Sequence, residues 1–346
     1  MMSATELSRM LEDTVDALLR EKVDHKLLSL QADVWPEALW LNFQELGLIT
    51  ALAAEDHGGS GLAFPTICGV WALLGHHAAP APIGESMIAA ALASSAGMDL
   101  GSGLTALAIE QPLRSDPAGR LHGRLSGVPW GRHAQSLLVL ANTDDGKRLC
   151  LVGTRGLSLE TQVNIGREPR DAFVLEAVLP TAVSEAVAPP HILHAAVALR
   201  TAQMAGALDA ALGLTIEHAN LRVQFGKPIG KLQAVQQSLA LLAAEAAAAR
   251  MAASMACDAL EHLGDADLNV GAAKVRAGEA AGRGAAIAHQ IHGAIGFTDE
   301  HQLHHLTRRL WSWRGEFGSE RYWAGRLGEL AFAAGSAGLW PAVTGA

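Results

Sequence analysis

The chain has 346 residues, 50% hydrophobic and 18% charged, with a formal net charge of −9. This length and balance predict a soluble globular protein of two or three domains. The acidic chain carries no basic stripe, which excludes nucleic acid as its main partner.

Aromatic residues are scarce, eight Trp against one Tyr, while alanine dominates the second half, a composition that favours closely packed helices. Cys68, Cys150 and Cys257 lie far apart and form no CxxC, so they read as free thiols of a reducing compartment. Met1–Glu6 leads into an acidic amphipathic segment rather than a basic start and an apolar run. No signal peptide is expected, and the location expected is cytoplasmic. Asp209, Glu217, Glu245, Arg250 and Asp258 interrupt the apolar runs 201–219 and 239–260, so neither is expected to span a membrane.

In chain order, Leu7, Met10, Leu11, Val15, Leu18 and Leu19 repeat with a helical period and predict a helix within 5–31. A second helix is expected from Pro36 to Leu46. The glycine-rich stretch 58–61 reads as a loop, and a further helix runs from Thr66 toward Gly75. That loop lacks the GxGxxG and GxxxxGK[ST] patterns of phosphate cradles. From Leu104 to about Val183 short apolar runs alternate with Gly, Asp, Asn and Pro turns. Strands are expected at Leu104–Ile109, Ser136–Leu140, Leu149–Val152 and Ala172–Val178. Beyond Pro189-Pro190 helices are expected near 191–221, 231–264, 267–295 and 300–313, with another after 319. The domains predicted are thus a helical 1–103, a small β domain 104–188 and a helical bundle 189–346.

One stretch, Arg222-Val-Gln-Phe225-Gly226-Lys227-Pro228-Ile-Gly230, interrupts the C-terminal helices. Glycine admits positive φ and proline removes a donor, so the segment must turn. A guanidinium and an aromatic ring just ahead of the break can hold an anion and stack on a flat heterocycle. By itself the stretch reads first as a helix–turn–helix corner with a surface arginine.

The order of elements and three motifs together resemble the acyl-CoA dehydrogenase family. Leu46-Gly-Leu-Ile with Glu55-Asp-His-Gly58-Gly59-Ser-Gly61-Leu is similar to the family's "ELGLxGL…PEEYGGxG" entry, and Arg222–Gly230 to its RxxFGxxI turn. His289-Gln290-Ile-His-Gly293-Ala-Ile-Gly296-Phe297 is similar to its QxxGGxGF turn. The resemblance implies a mostly α fold with a small middle β-barrel-like domain and a C-terminal four-helix bundle. It also implies FAD, whose pyrophosphate and adenosine would be held across a subunit interface. Arg222 would meet a flavin phosphate, Phe225 the adenine–ribose end, and Gln290 and Gly293 the dinucleotide by amide and close backbone approach. Position 294 is Ala where the family has its second Gly.

Elsewhere the sequence departs from the family. "TEPxxGSD" is reduced to Ile109-Glu110-Gln111-Pro112-Leu-Arg-Ser-Asp116, and "GxKxWIT" becomes Ser126-Gly127-Val-Pro129-Trp130-Gly131-Arg132-His133. Trp130 reads either as a flavin contact or as a buried structural Trp. The family's base, a glutamate that removes the α-proton of an acyl-CoA while hydride passes to flavin, falls on Phe317 by ungapped count from Gln290. Glu316 stands one residue earlier and is the candidate base. The other family position, near Ala195–Val197, holds no acid. His289, His292, His301, His304 and His305 crowd one region, with His301 and His305 at i, i+4. No Cys or HExxH pattern completes a metal site, so exposed helix-end histidines are expected.

Two functions compete. One is an FAD-dependent acyl-CoA dehydrogenase with Glu316 or an undetected acid as base, passing electrons to an electron-transferring flavoprotein. The other is a non-catalytic subunit of a heteromeric acyl-CoA dehydrogenase that completes the FAD site of a catalytic chain. A homo- or hetero-oligomer is implied by both.

Overall fold

A computed structural model describes residues 3–30, 34–101, 103–188, 192–261 and 266–344. Its helices are α1 (Ala4–Lys22), α2 (His25–Leu30), α3 (Glu37–Glu45), α4 (Phe64–His76), α5 (Ile83–Ser95), α6 (His194–Leu221), α7 (Gln233–Ala259), α8 (Ala266–His292), α9 (Leu303–Trp313) and α10 (Glu320–Thr344). The strands are β1 (Thr105–Ser115), β2 (Leu121–Pro129), β3 (Ser136–Thr143), β4 (Gly146–Gly153), β5 (Ser158–Glu160), β6 (Arg170–Val178), β7 (Ala182–Val183), β8 (Val223–Gln224) and β9 (Lys227–Pro228). The chain forms two compact units. One joins Met1–Glu21, Phe64–Ala79 and Val197–Ala346, and the other joins Lys22–Ala63 and Pro80–Ala196.

The helix expected within 5–31 is two helices. A capping box starts the first: Ser3 Oγ accepts the Glu6 amide at 3.2 Å, and the Glu6 carboxylate accepts the Ser3 amide at 2.8 Å. Asp24 starts the second by accepting the Leu27 amide at 2.7 Å. Position 31 lies outside the described residues. Helix α5 escapes periodicity because Ile83–Ala90 is buried on every side, leaving no polar face to set a period.

The second unit is built on a seven-stranded sheet in the order β5-β6-β2-β1-β3-β4-β7. Strands β1 and β3 run parallel, Thr105 beside Ser136 and Ala108 beside Val139, and the other pairs are antiparallel. Leu137, Leu138 and Val139 of β3 are fully buried, which accounts for its continuous apolar run. Strand β2 was not expected, because Gly123 and Gly127 interrupt it and only Leu121, Leu125, Val128 and Pro129 are buried. It nevertheless lies between β6 and β1.

In the helical unit, alanine permits close packing. Ala246, Ala249, Ala253 and Ala256 of α7 and Ala273, Ala277, Ala280 and Ala281 of α8 are all buried, and these two helices pack together. Helix α7 has the length and apolar composition to cross a membrane, a test that core helices also pass. Glu245 ties α7 to α8 through Arg276 and Arg283.

Helices α4 and α6 approach still more closely. A Cβ at Gly206 would stand 1.8 Å from the Ala72 carbonyl oxygen, a backbone atom that cannot rotate away. Gly206→Ala is therefore expected to cost about 2–3 kcal/mol through overpacking. Gly213→Ala on the same helix meets nothing within 4 Å, and should stabilise by about 0.5–1 kcal/mol. Urea midpoints of the two variants moving in opposite directions would establish the contact; a shared direction would refute it.

Candidate FAD-contacting site

The Arg222 stretch is a tight hairpin on the end of α6. The Arg222 amide donates to the His218 carbonyl at 2.9 Å, and the Ile229 amide donates to the Arg222 carbonyl at 2.8 Å. Strands β8 and β9 pair around Phe225 and Gly226, whose φ values are +52° and +74°. Positive φ at both central residues is the two-residue turn that matches strand twist. Glycine suits it, whereas Phe225 is held in the left-handed region at some cost. The Phe225 ring is 88% exposed, and Arg222 is exposed too. No carboxylate among the described residues pairs with Arg222.

The second motif closes α8. Gln290 lies exposed in its last turn, followed by the 3-10 turn Gly293–Phe297. Gly293 has φ +64° and open space around it, whereas a Cβ at Gly296 would stand 2.9 Å from the Cβ of His292. Ala294 is exposed, so its extra methyl displaces nothing within the chain. The His218 ring, one turn before Arg222, lies 4.5 Å from the His292 ring, just past Gln290. Both motifs thus share one end of the helical unit. Their donor set suits the anionic, flat-ended tail of a dinucleotide: an uncompensated guanidinium, a displayed aromatic ring, a free amide and an open glycine backbone.

The segments that the resemblance places at the flavin ring are engaged in the chain's own packing. Trp130 belongs to the other unit, adopts φ +54° and is 2% exposed. Its ring lies edge-on to Trp35 at 5.7 Å and 5.9 Å from the His133 ring, so the chain's own side chains enclose it. A Cβ at Gly131, where the resemblance expects Ile, would stand 2.6 Å from the Phe173 ring. The turn is instead fastened by Arg132, whose amide and guanidinium both donate to the fully buried Asp171 at 2.7 Å. Asp116 is likewise consumed locally, accepting the amides of Ala118 and Arg120 and the Arg120 guanidinium. The Arg120 amide and then the His122 ring hold its carboxyl well below the usual range.

Glu316 sits in the turn after α9 and is not free. Arg200, 1% exposed on α6, donates from Nε to the Glu316 carboxylate at 2.7 Å. Its Nη1 donates to Gln203 at 2.5 Å, and its guanidinium lies over the rings of Phe317 and Trp313. Phe317, at the ungapped family position, is buried with φ +55°. Sequence reading sought an acid on α6 and passed over this arginine. The signal was there: Arg200 is the lone Arg or Lys in a mostly apolar run from 192 to 208.

The histidines expected as exposed helix ends are mostly buried: His289, His292, His304 and His305 are each at most 6% exposed. They belong to the packing of α8 against α9, as the 2.8 Å hydrogen bond between His289 and Thr307 illustrates. In the sheet unit, the Glu55–Gly61 loop borders a cavity of about 340 Å3 reached by Trp40, Thr50, Ser94, Met98 and Thr105.

Residues 192–321 match the acyl-CoA dehydrogenase C-terminal domain. The acyl-CoA dehydrogenase IpdE2 of Mycobacterium tuberculosis is 29% identical over 317 residues, covering 89% of this chain and 92% of that protein. The acyl-CoA dehydrogenase FadE27 of the same organism is 29% identical over 335 residues, covering 87% and 90%. A variant of the Tcur3481–Tcur3483 steroid ACAD superposes with a TM-score of 0.88 at 27% identity, covering 97% of this chain and all of that one. The ChsE4–ChsE5 complex of M. tuberculosis gives 0.87 at 25% identity, covering 96% and 99%.

Proposed function

This chain belongs to the acyl-CoA dehydrogenase family, and from that premise we propose that it is the non-catalytic subunit of a heteromeric acyl-CoA dehydrogenase. In this reading it presents Arg222, Phe225, Gln290 and Gly293 to the tail of an FAD whose ring is held by a catalytic partner. FAD held there would supply the hydride acceptor for oxidation of an acyl-CoA thioester. Arg222 neutralises pyrophosphate charge, Phe225 covers the adenine–ribose end, and the Gln290–Gly293 turn supplies amide donors.

The observation that carries this reading is the Arg200–Glu316 ion pair. A buried guanidinium at 2.7 Å ties this carboxylate to α6 and commits one of its oxygens, which argues against a base free to meet a substrate proton. The enclosed Trp130 supports the same conclusion for the ring end. The two-chain names of the similar solved structures support a heteromer. A catalytic reading draws on one feature: the Glu316 side chain is 19% exposed, in a turn with pliable Gly315 and Gly318.

Flavin content separates the two. The chain produced alone should be colourless, and co-produced with a full-length homologue it should carry about one FAD per pair of chains. A chain that purifies yellow by itself, with one FAD each and acyl-CoA oxidation lost in Glu316→Gln, overturns the partner reading.

A further inference from the structure

We propose that His218, His292 and His301 form a binding site for a divalent transition-metal ion of the zinc, nickel and copper class. The three side chains come from the end of α6, the end of α8 and the segment between α8 and α9. Each offers one ring nitrogen, and these nitrogens all lie within 4.8 Å of one another. The His292 ring lies 4.5 Å from that of His218 and 4.7 Å from that of His301, while the outer two are 6.4 Å apart. An imidazole bound at about 2.0 Å places its ring centre about 3.2 Å from the ion. Rings at tetrahedral positions then stand about 5.2 Å apart, rings at right-angled positions about 4.5 Å apart, and rings on opposite sides of a tetragonal ion about 6.4 Å apart. The spacing suits His292 at the middle position of a tetragonal nickel or copper ion, and binding turns the His218 ring out of its near-parallel stack on His292 so that both lone pairs meet the ion.

His292 is also prepared as a ligand. Its Nδ1 faces the Ala288 carbonyl at 2.8 Å, a contact that requires the proton on Nδ1. The lone pair therefore resides on Nε2, which is buried and has no hydrogen-bond partner. A buried acceptor left unsatisfied is costly. An imidazole turned by a backbone carbonyl so that its other nitrogen points at an ion is how proteins orient metal-binding histidines.

An ion has a route and a counter-charge. A cavity of about 290 Å3 reaches His218 and His301 and is bordered by Leu214, Glu217, Leu221 and Ile295. Glu217 lines the same cavity and supplies a carboxylate beside His301. A second adjustment is required. His301 Nδ1 accepts the Leu303 amide at 3.1 Å, so binding through its Nε2 moves that ring's proton and gives up this bond. Neutral imidazoles suit zinc, nickel and copper rather than magnesium or calcium. The inference needs no partner chain and no FAD, and it stands or falls apart from the functional reading.

The test uses the full chain, free of any affinity tag and stripped with chelator, titrated calorimetrically with ZnCl2 and separately with NiCl2. One ion per chain is expected, and metal analysis after gel filtration should retain it. His218→Ala and His301→Ala should each weaken binding at least tenfold, while His57→Ala, in the other unit, should not. Should a His variant melt before titration, cobalt(II) added to the unsubstituted chain still reports, through visible bands at one equivalent. Failure to retain any ion, absence of the cobalt bands, or binding unchanged in both folded variants overturns the site.

Discussion

Glu316→Ala is expected to destabilise the helical unit by about 3–5 kcal/mol, the usual cost of removing one partner from a buried ion pair. Arg200 keeps its charge at 1% exposure and loses the carboxylate that Glu316 supplies. Arg200→Met should cost a similar amount, because it leaves a carboxylate only 19% exposed. Combining Arg200→Met with Glu316→Leu should recover most of the loss, since a buried pair replaced by apolar groups of similar size is often neutral. Denaturant titrations of the parent, Arg200→Met, Glu316→Leu and the double variant form a double-mutant cycle that isolates the coupling. A structural pair predicts two large single effects and a much smaller double effect. A Glu316→Ala protein within about 1 kcal/mol of the parent would instead mean that the carboxylate is not held for packing. It would restore Glu316 as a base.

The helices of the C-terminal half were legible because Ala, Leu and Met recur with a helical period between clear breakers. Helices α6 to α9 lie where the pattern placed them, to within a few residues. What failed did so for physical reasons. Helix α5 is apolar all round and shows no period. Strand β2 carries glycines and half-polar faces, although it sits inside the sheet and not at its edge. The split between α1 and α2 rests on one capping carboxylate, Asp24, which composition cannot reveal.

The candidate site divides in the same way. The turns at Arg222 and Gln290 are local features, and their Gly and Pro residues mark them in the sequence. Their neighbourhood is not local: His218 meets His292 and His301 only because the end of α6 folds against the end of α8. The i, i+4 spacing of His301 and His305 drew attention to the wrong pair, because His305 is buried beside His304. The fate of Glu316 likewise depended on an arginine more than a hundred residues earlier. Trp130 could be read as flavin contact or core from its motif alone. Its burial and the Trp35 and His133 rings around it, the former from a residue distant in sequence, favour core.

Arg222→Glu should leave this chain's own stability within about 0.5 kcal/mol of the parent, because the side chain is exposed and pairs with no carboxylate among the described residues. Its effect should appear only in the flavin-loaded assembly. Losing a charge-assisted hydrogen bond to phosphate removes about 2–3 kcal/mol, and the new carboxylate adds repulsion. FAD retention should then fall on the order of 100-fold. Phe225→Ala removes packing but no charge and should weaken retention by about tenfold or less. It should also relieve the left-handed strain at φ +52° only slightly, since alanine too disfavours that region. Equilibrium titration of the flavin-stripped complex with FAD, followed by flavin fluorescence, measures both. An Arg222→Glu complex that binds FAD as tightly as the parent would mean that the exposed guanidinium serves another ligand. Phe225, displayed at 88% exposure on the same hairpin, would then belong to that ligand's surface as well.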